Sequence, residues 1–233
     1  MIRFEQASVV VDDFTSGQAA AKTLLDTFDL TLAEHRVVAI GANGSGKSTL
    51  LKLINGLILP TTGTVTSAGF NTATQGREVR RRVGYIFTDP LAQLVMSTPF
   101  DDIELSLRTL GMGRPERRDR AHQILAERGL GHVARQSIYD LSGGERQLVS
   151  LATVLAIEPS IIVADEPTTL LDLRNRYRLR DAFAELDQQL IVSTHDLELA
   201  ADADRCLLVD SGRIVADGAP AEVIAHYRST MLP

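Results

Sequence analysis

The stretch Gly41-Ala-Asn-Gly-Ser-Gly-Lys-Ser-Thr49 constrains this chain more than any other feature. It fits the full phosphate-loop pattern of a glycine, four residues, then Gly-Lys-Ser. Before it runs Val37-Val-Ala-Ile40, an apolar stretch of buried-strand length. After it Leu50, Leu51, Ile54 and Leu57 fall at helical spacing, with Gly56 near the expected helix end. Strand, loop and helix in that order make a backbone cradle for a phosphate. Gly41, Gly44 and Gly46 let the chain wrap closely, with Asn43, Ser45 and Thr49 completing the loop. The helix N-terminus adds its positive dipole end. Lys47 is expected to reach the β- and γ-phosphates and Ser48 to ligate Mg²⁺, so ATP and Mg²⁺ are the expected ligands.

Such a unit belongs in a mostly parallel sheet, and the rest of the chain supplies one. Extended segments are expected at Ile2–Glu5, Val9–Val11 and Leu24–Leu32, with a turn at Ala33–His35 and a short strand around Gly63–Thr66. Buried-strand texture marks Val83–Phe87, Ile161–Ala164 and Leu190–Ser193. A hairpin is expected from Cys206–Asp210 and Arg213–Ala216 across Ser211-Gly212. Between Leu91 and Pro159 the pattern is helical, most clearly at Arg117–Gly129 and Glu145–Ile157. The expected fold is therefore α/β, with a helical lobe inserted into an α/β lobe and ligands at the carboxyl ends of the strands.

Two further strand ends carry chemistry. Ile161–Ala164 leads into Asp165-Glu166. Asp165 is placed to hold Mg²⁺ through water, and Glu166 to polarise an attacking water as general base. His195 follows Leu190–Ser193 and is expected to sense the γ-phosphate. None of the other histidines shows metal-ligand spacing. Separately, Leu141-Ser-Gly-Gly-Glu-Arg-Gln147 sets Ser142, Gly143 and Gly144 at the start of a helix, a second anion site. The phosphate loop alone already cradles a triphosphate. A second site is useful if it docks on the nucleotide of another copy, two copies head to tail closing a two-fold assembly.

Composition excludes several alternatives. A net charge of −6 over 233 residues argues against general nucleic-acid binding. No apolar run approaches membrane-spanning length, and Met1–Gln6 lacks a signal-peptide layout, so a cytosolic chain is expected. Cys206, the only cysteine, reads as a core thiol, and Arg77, Arg80, Arg81 and Arg82 as a solvated helix face.

Together these motifs resemble the ATP-binding subunit of ATP-binding cassette (ABC) transporters, over about Ile2 to Val223. Leu141–Gln147 is similar to that family's signature, Ile161–Glu166 to its Walker B segment, Thr169–Asp172 to its D-loop and His195 to its switch histidine. The resemblance implies a P-loop NTPase with a RecA-like core, an N-terminal antiparallel β-subdomain and an inserted helical subdomain. It implies a single domain, with residues 1–90 and 159–233 as the RecA-like and β lobe and 91–158 as the signature lobe. It further implies that ATP closes a dimer, signature against phosphate loop, and that Asp172 contributes to the nucleotide site. Two positions depart from the family pattern. Thr88 stands where a metal-contacting glutamine is usual, and Thr88 or Gln93 could take that role. Val11 stands where an aromatic usually stacks on adenine, with Phe14 nearby.

Within the family, the segment Leu91–Asp102 is similar to that of energy-coupling-factor importers for vitamins and metal ions; among these the overall chain resembles the biotin importer's ATPase first, then those of cobalt or nickel importers. The implied partners are a second ATPase, identical or paralogous, a transmembrane coupling protein and a small substrate-binding membrane protein, with no nucleic acid. The implied location is the cytoplasmic face of the membrane. The alternative is a soluble cassette ATPase, as in cluster assembly.

Overall fold

A computed structural model describes residues 1–13 and 20–231. Phe14 lies outside the described residues. Two sheets organise the molecule. One is antiparallel, in the order β2-β1-β4-β5, from β1 (Ile2–Asp13), β2 (Ala20–Leu32), β4 (Thr62–Ser67) and β5 (Phe70–Asn71). The other has the order β10-β9-β3-β8-β7-β6. It comprises β3 (Arg36–Ile40), β6 (Val83–Ile86), β7 (Ile161–Asp165), β8 (Gln189–Ser193), β9 (Arg205–Asp210) and β10 (Arg213–Gly218). β3, β6, β7, β8 and β9 run parallel, and β10 returns antiparallel to β9. At the β9–β10 turn Ser211 and Gly212 both have positive φ (47° and 79°), the tight hairpin turn that matches strand twist.

The parallel strands are apolar along their length because both faces are covered. Val37, Ala39, Val163 and Val209 face one core, shared with the antiparallel sheet and with Leu50, Leu51, Leu53 and Ile54 of helix α1 (Lys47–Asn55). Their neighbours Val38, Ile40, Ala164 and Leu208 face the opposite core. There they meet helices α5 (Gly143–Leu155), α6 (Leu173–Ala184), α7 (Leu197–Ala201) and α8 (Pro220–Met231). Period-two alternation thus fixes which residues each layer sees.

A third core lies among α3 (Pro99–Leu107), α4 (Arg114–Glu127) and α5. Helix α5 belongs to two cores: Leu151 and Val154 pack on the sheet, Val149 and Ala152 on the bundle. Cys206 is fully buried, and burial pushes its thiol up to about 12, as a core residue requires. The arginine run forms α2 (Gly76–Arg82), with all four guanidinium-bearing residues exposed. Leu57, expected on the helix after the phosphate loop, instead lies beyond it and is exposed, because Gly56 caps α1 in a left-handed conformation.

Candidate functional site: the nucleotide cleft and the signature helix

The carboxyl ends of β3, β7 and β8 open into one cleft of about 460 Å³, lined by Gly41, Ala42, Asn43, Thr88, Glu166 and His195, among others. The sequence places these residues because each follows a parallel strand that ends at the same edge. Gly41 has φ +145°, and a Cβ there would meet the Val209 carbonyl oxygen at 2.1 Å, so only glycine fits. Lys47 is buried. Its Nζ donates to the carbonyls of Gly41 (2.8 Å) and Ala42 (3.1 Å) and lies 3.4 Å from Glu166 Oε1.

Asp165 gathers hydroxyls. Its Oδ1 accepts from Ser48 Oγ (2.8 Å) and Ser193 Oγ (2.6 Å), and its Oδ2 from Tyr85 Oη (3.1 Å). Thr88 Oγ1 donates to the Asp165 backbone carbonyl at 2.8 Å. Burial, with the Asp165 carboxylate beside it, holds the Tyr85 phenol far above its ordinary range.

Glu166 has φ 49°, a left-handed conformation that costs a non-glycine residue roughly 1–2 kcal/mol. Its N–H is held by Ser193, to both the carbonyl and Oγ at 3.0 Å. Oε2 meets His195 Nδ1 at 2.7 Å and accepts from the His195 backbone N–H at 3.3 Å and Thr169 Oγ1 at 3.4 Å. Oε1 is buried and takes no hydrogen bond, although Lys47 stands beside it. This orphaned oxygen, with the hard oxygen set of Ser48 and Asp165 nearby, fits a hydrated Mg²⁺ and a water as neighbours.

The signature region is separate from this cleft. Ser142 caps α5 in a capping box: its Oγ accepts from Glu145 N–H (3.2 Å) and donates to Glu145 Oε2 (2.7 Å), while Ser142 N–H donates to the same carboxylate oxygen (2.9 Å). Those bonds hold the Glu145 carboxyl below its ordinary value. His132 Nε2 stands 3.3 Å from Glu145 Oε1. Gly144 is buried, and a Cβ there would come within 2.2 Å of Asn175 Cγ on α6. Asp172 caps α6, accepting Asn175 N–H at 2.8 Å.

Within one chain, then, Lys47, Ser48, Asp165, Glu166 and His195 come together, with Thr88 and Asn43 on the rim. Ser142, Gly143, Gly144 and Asp172 do not line the cleft. Gln93 is engaged elsewhere: Nε2 donates to the Ser150 carbonyl (2.9 Å), and Oε1 accepts from Phe87 N–H (3.4 Å). Val11 is partly exposed. Sequence reading did not assign Tyr85, Ser193 or Tyr227, and named Thr169 only as part of the D-loop; Thr169 and Tyr227 also line the cleft. Only Ser193 had a usable signal, as the residue between a buried strand and Thr194-His195, and β8 does register it opposite Asp165.

The family model described as ABC transporter matches residues 25–169. The biotin transport ATP-binding protein BioM of Rhizobium etli is 40% identical over 227 residues, covering 97% of each chain. The energy-coupling factor transporter ATP-binding protein EcfA1 of Halalkalibacterium halodurans is 40% identical over 200 residues, 84% of this chain and 72% of that one. Among solved structures, the ATP-binding cassette MJ0796, dimeric and bound to ADP and Pi after hydrolysis, is 28% identical. It superposes with a TM-score of 0.82 over 94% of this chain and 99% of that one. The chain therefore belongs to the ABC transporter family, as one of its ATP-binding, ATP-hydrolysing cassettes.

Proposed function

We propose that this chain powers an importer of the energy-coupling-factor type for a vitamin, biotin first, or a transition metal ion, through ATP-driven dimer closure. The observation that carries the closure is the separation of the two anion sites. Within its own chain the Ser142 hydroxyl and N–H are bonded to Glu145 and Gly144 packs on Asn175 of α6, away from Lys47 and the strand-end carboxylates, and a second copy or paralogue brings them to the γ-phosphate. Each charge-assisted hydrogen bond formed there contributes roughly 1.5–3 kcal/mol. A few at each of two sites exceed the roughly 5.5 kcal/mol that turns a mostly open population into a mostly closed one.

In this reading Lys47 and the backbone of residues 41–49 hold the phosphates. Ser48 and Asp165, with Thr88 beside them, would hold Mg²⁺, which supplies charge neutralisation on the β- and γ-phosphates. Glu166 takes the proton of the attacking water as its oxygen bonds to the γ-phosphorus and ADP leaves. His195 keeps the Glu166 carboxylate aimed through Nδ1. Asp172 acts from the loop before α6, toward the partner. Residues 1–90 with 159–233 and residues 91–158 are the two lobes of one ABC ATPase domain, joined through the double-faced α5.

The importer assignment leans on the 40% identity to the biotin and energy-coupling-factor ATPases and on one surface. Val95 and Tyr139 are each 71% exposed. The Asp102 carboxylate captures the N–H groups of Val95 (3.0 Å) and Met96 (3.2 Å), and Ile138 N–H donates to the Ser97 carbonyl (3.0 Å), joining the two loops. Burial raises the Asp102 carboxyl above its ordinary value. Apolar side chains pinned outward suit a transmembrane coupling protein, itself paired with a small substrate-binding membrane protein. No helix among the described residues is long and apolar enough to cross a membrane, so attachment at the cytoplasmic face is through these partners.

The test is to tag the chain in its host, solubilise membranes in mild detergent and identify what co-purifies. A large coupling protein with a small membrane protein that retains a vitamin or metal is expected. Recovery from the soluble fraction alone, free of membrane proteins, overturns the importer and leaves a soluble cassette ATPase.

A further inference from the structure

An ionised carboxylate offers about four lone-pair positions. On Asp165 three are filled by protein hydroxyls: Ser48 and Ser193 on Oδ1, and Tyr85 on Oδ2. The two serines flank the nucleotide side, one on α1 and one at the end of β8. Tyr85 comes from the other neighbouring strand. It is registered opposite Val163, so its phenol reaches diagonally along β7 to the residue two places on. Phe87 packs on its ring at 4.8 Å between centroids, and the tyrosine is 7% exposed. Because a carboxylate only accepts, the phenolic hydrogen must point at Oδ2. One acceptor position on Asp165 is left.

We propose that Tyr85 determines the cation specificity of this site, by taking one of the two acceptor positions on Asp165 Oδ2 while the serines fill Oδ1, so that the carboxylate offers one position to a metal-bound water and cannot chelate the ion through both oxygens. This rests on the reading above that Asp165 faces the nucleotide's metal. Mg²⁺ gives up water reluctantly and keeps several, so a one-position acceptor suits it. Ca²⁺ takes carboxylates directly, often through both oxygens, at longer and more variable distances. A carboxylate with both oxygens occupied by hydroxyls therefore favours the smaller ion. Ser48 is compatible with the scheme: its hydrogen goes to Asp165, which turns its free lone pairs outward. Tyr85 touches no substrate in this scheme and acts as a positioning residue.

Tyr85→Phe removes one oxygen and keeps the ring against Phe87. The measurement is Mn²⁺ binding by electron paramagnetic resonance with ADP and protein in excess, displaced in turn by Mg²⁺ and Ca²⁺. In the variant the ratio of the two affinities is expected to move toward Ca²⁺ by about threefold to tenfold, the range of one hydrogen bond. Ser193→Ala frees a second position and is expected to move the ratio the same way; it decides the matter if Tyr85→Phe does not fold by thermal melting. An unchanged ratio, with wild-type Mg²⁺ binding intact, overturns the role of Tyr85 alone. If protein-dependent Mn²⁺ binding survives Asp165→Asn, the metal reading of the site fails, and this inference with it.

Discussion

The two glycine-rich loops of this molecule both open a helix, yet they meet their anions in opposite ways. The loop of residues 41–49 carries no acidic residue of its own in the first turn of α1; the carboxylates beside it, Asp165 on Ser48 Oγ and Glu166 near Lys47, come from the end of β7 and leave the backbone N–H groups of the loop uncapped by any side chain among the described residues. The signature loop already carries an anion. Glu145 sits on its own helix N-terminus and takes both the hydroxyl and the N–H of Ser142. A hydroxyl has one hydrogen, so Ser142 must release Glu145 before it donates to a phosphate. In the proposed cycle one loop binds nucleotide alone, and the other engages only when a stronger anion is delivered to it.

The largest expected effect tests the chemistry at the cleft beside the first loop. Glu166→Gln should lower steady-state phosphate release by about 10²- to 10⁴-fold, the usual worth of a general base, while leaving nucleotide affinity in place. With MgATP the variant should form a stable dimer by light scattering. Next, Ser142→Arg should abolish that dimer in the Glu166→Gln background yet leave single-chain ATP binding unchanged by equilibrium titration. Equal loss of both would mean that the two loops are not separable, and would break the comparison.

Smaller effects sharpen it. Gly144→Ala drives a methyl into Asn175 and should cost about 1–3 kcal/mol, a fall in melting temperature of a few degrees, without weakening nucleotide binding to the isolated chain. Glu145→Gln keeps the capping geometry but removes a negative charge from beside the incoming phosphate. If the two anions approach to about 4 Å, the gain is about 1 kcal/mol, or roughly fivefold tighter dimerisation in analytical ultracentrifugation. The same substitution carries a pH signature. The Glu145 carboxyl is held below its ordinary 4.5, first by the Ser142 hydroxyl and then by the Ser142 N–H. Its stabilisation is fully present above 4.5 and is lost as the pH falls through the lower folded value. The small melting-temperature gap between wild type and Glu145→Gln should therefore close on acidification below about pH 4.5.

Which parts of this were legible in the sequence follows from how local each one is. The phosphate loop, the buried parallel strands and the β9–β10 hairpin are written in consecutive residues, and they lie where the pattern puts them. Helix α6 is harder to read. Its sequence Leu173-Arg-Asn-Arg-Tyr-Arg-Leu-Arg180 is charged on most sides, and Leu179 and Phe183 are the residues it buries. α8 is not among the helices expected from the sequence, although its Tyr227 lines the cleft. The serine and glutamate of the signature, three apart, spell a capping box in one dimension. That Gly144 must also be small for Asn175 depends on two helices meeting, which no local pattern records. Tyr85 is the extreme case: its partner lies on another strand, 80 residues away.

The carboxamide of Gln93 has a mechanical consequence. One end accepts from the backbone just past β6, and the other donates to a carbonyl in the middle of α5. Beside the direct packing of Val154 on Gly84, this side chain gives the two structures a polar link. A turn of the helical bundle against the sheet must stretch one of these bonds or drag the Phe87–Thr88 backbone along with it. Thr88 is itself tied to the Asp165 carbonyl, so a displacement begun in the middle of α5 has a path of three hydrogen bonds, through Gln93 and Thr88, to the strand that carries the paired carboxylates.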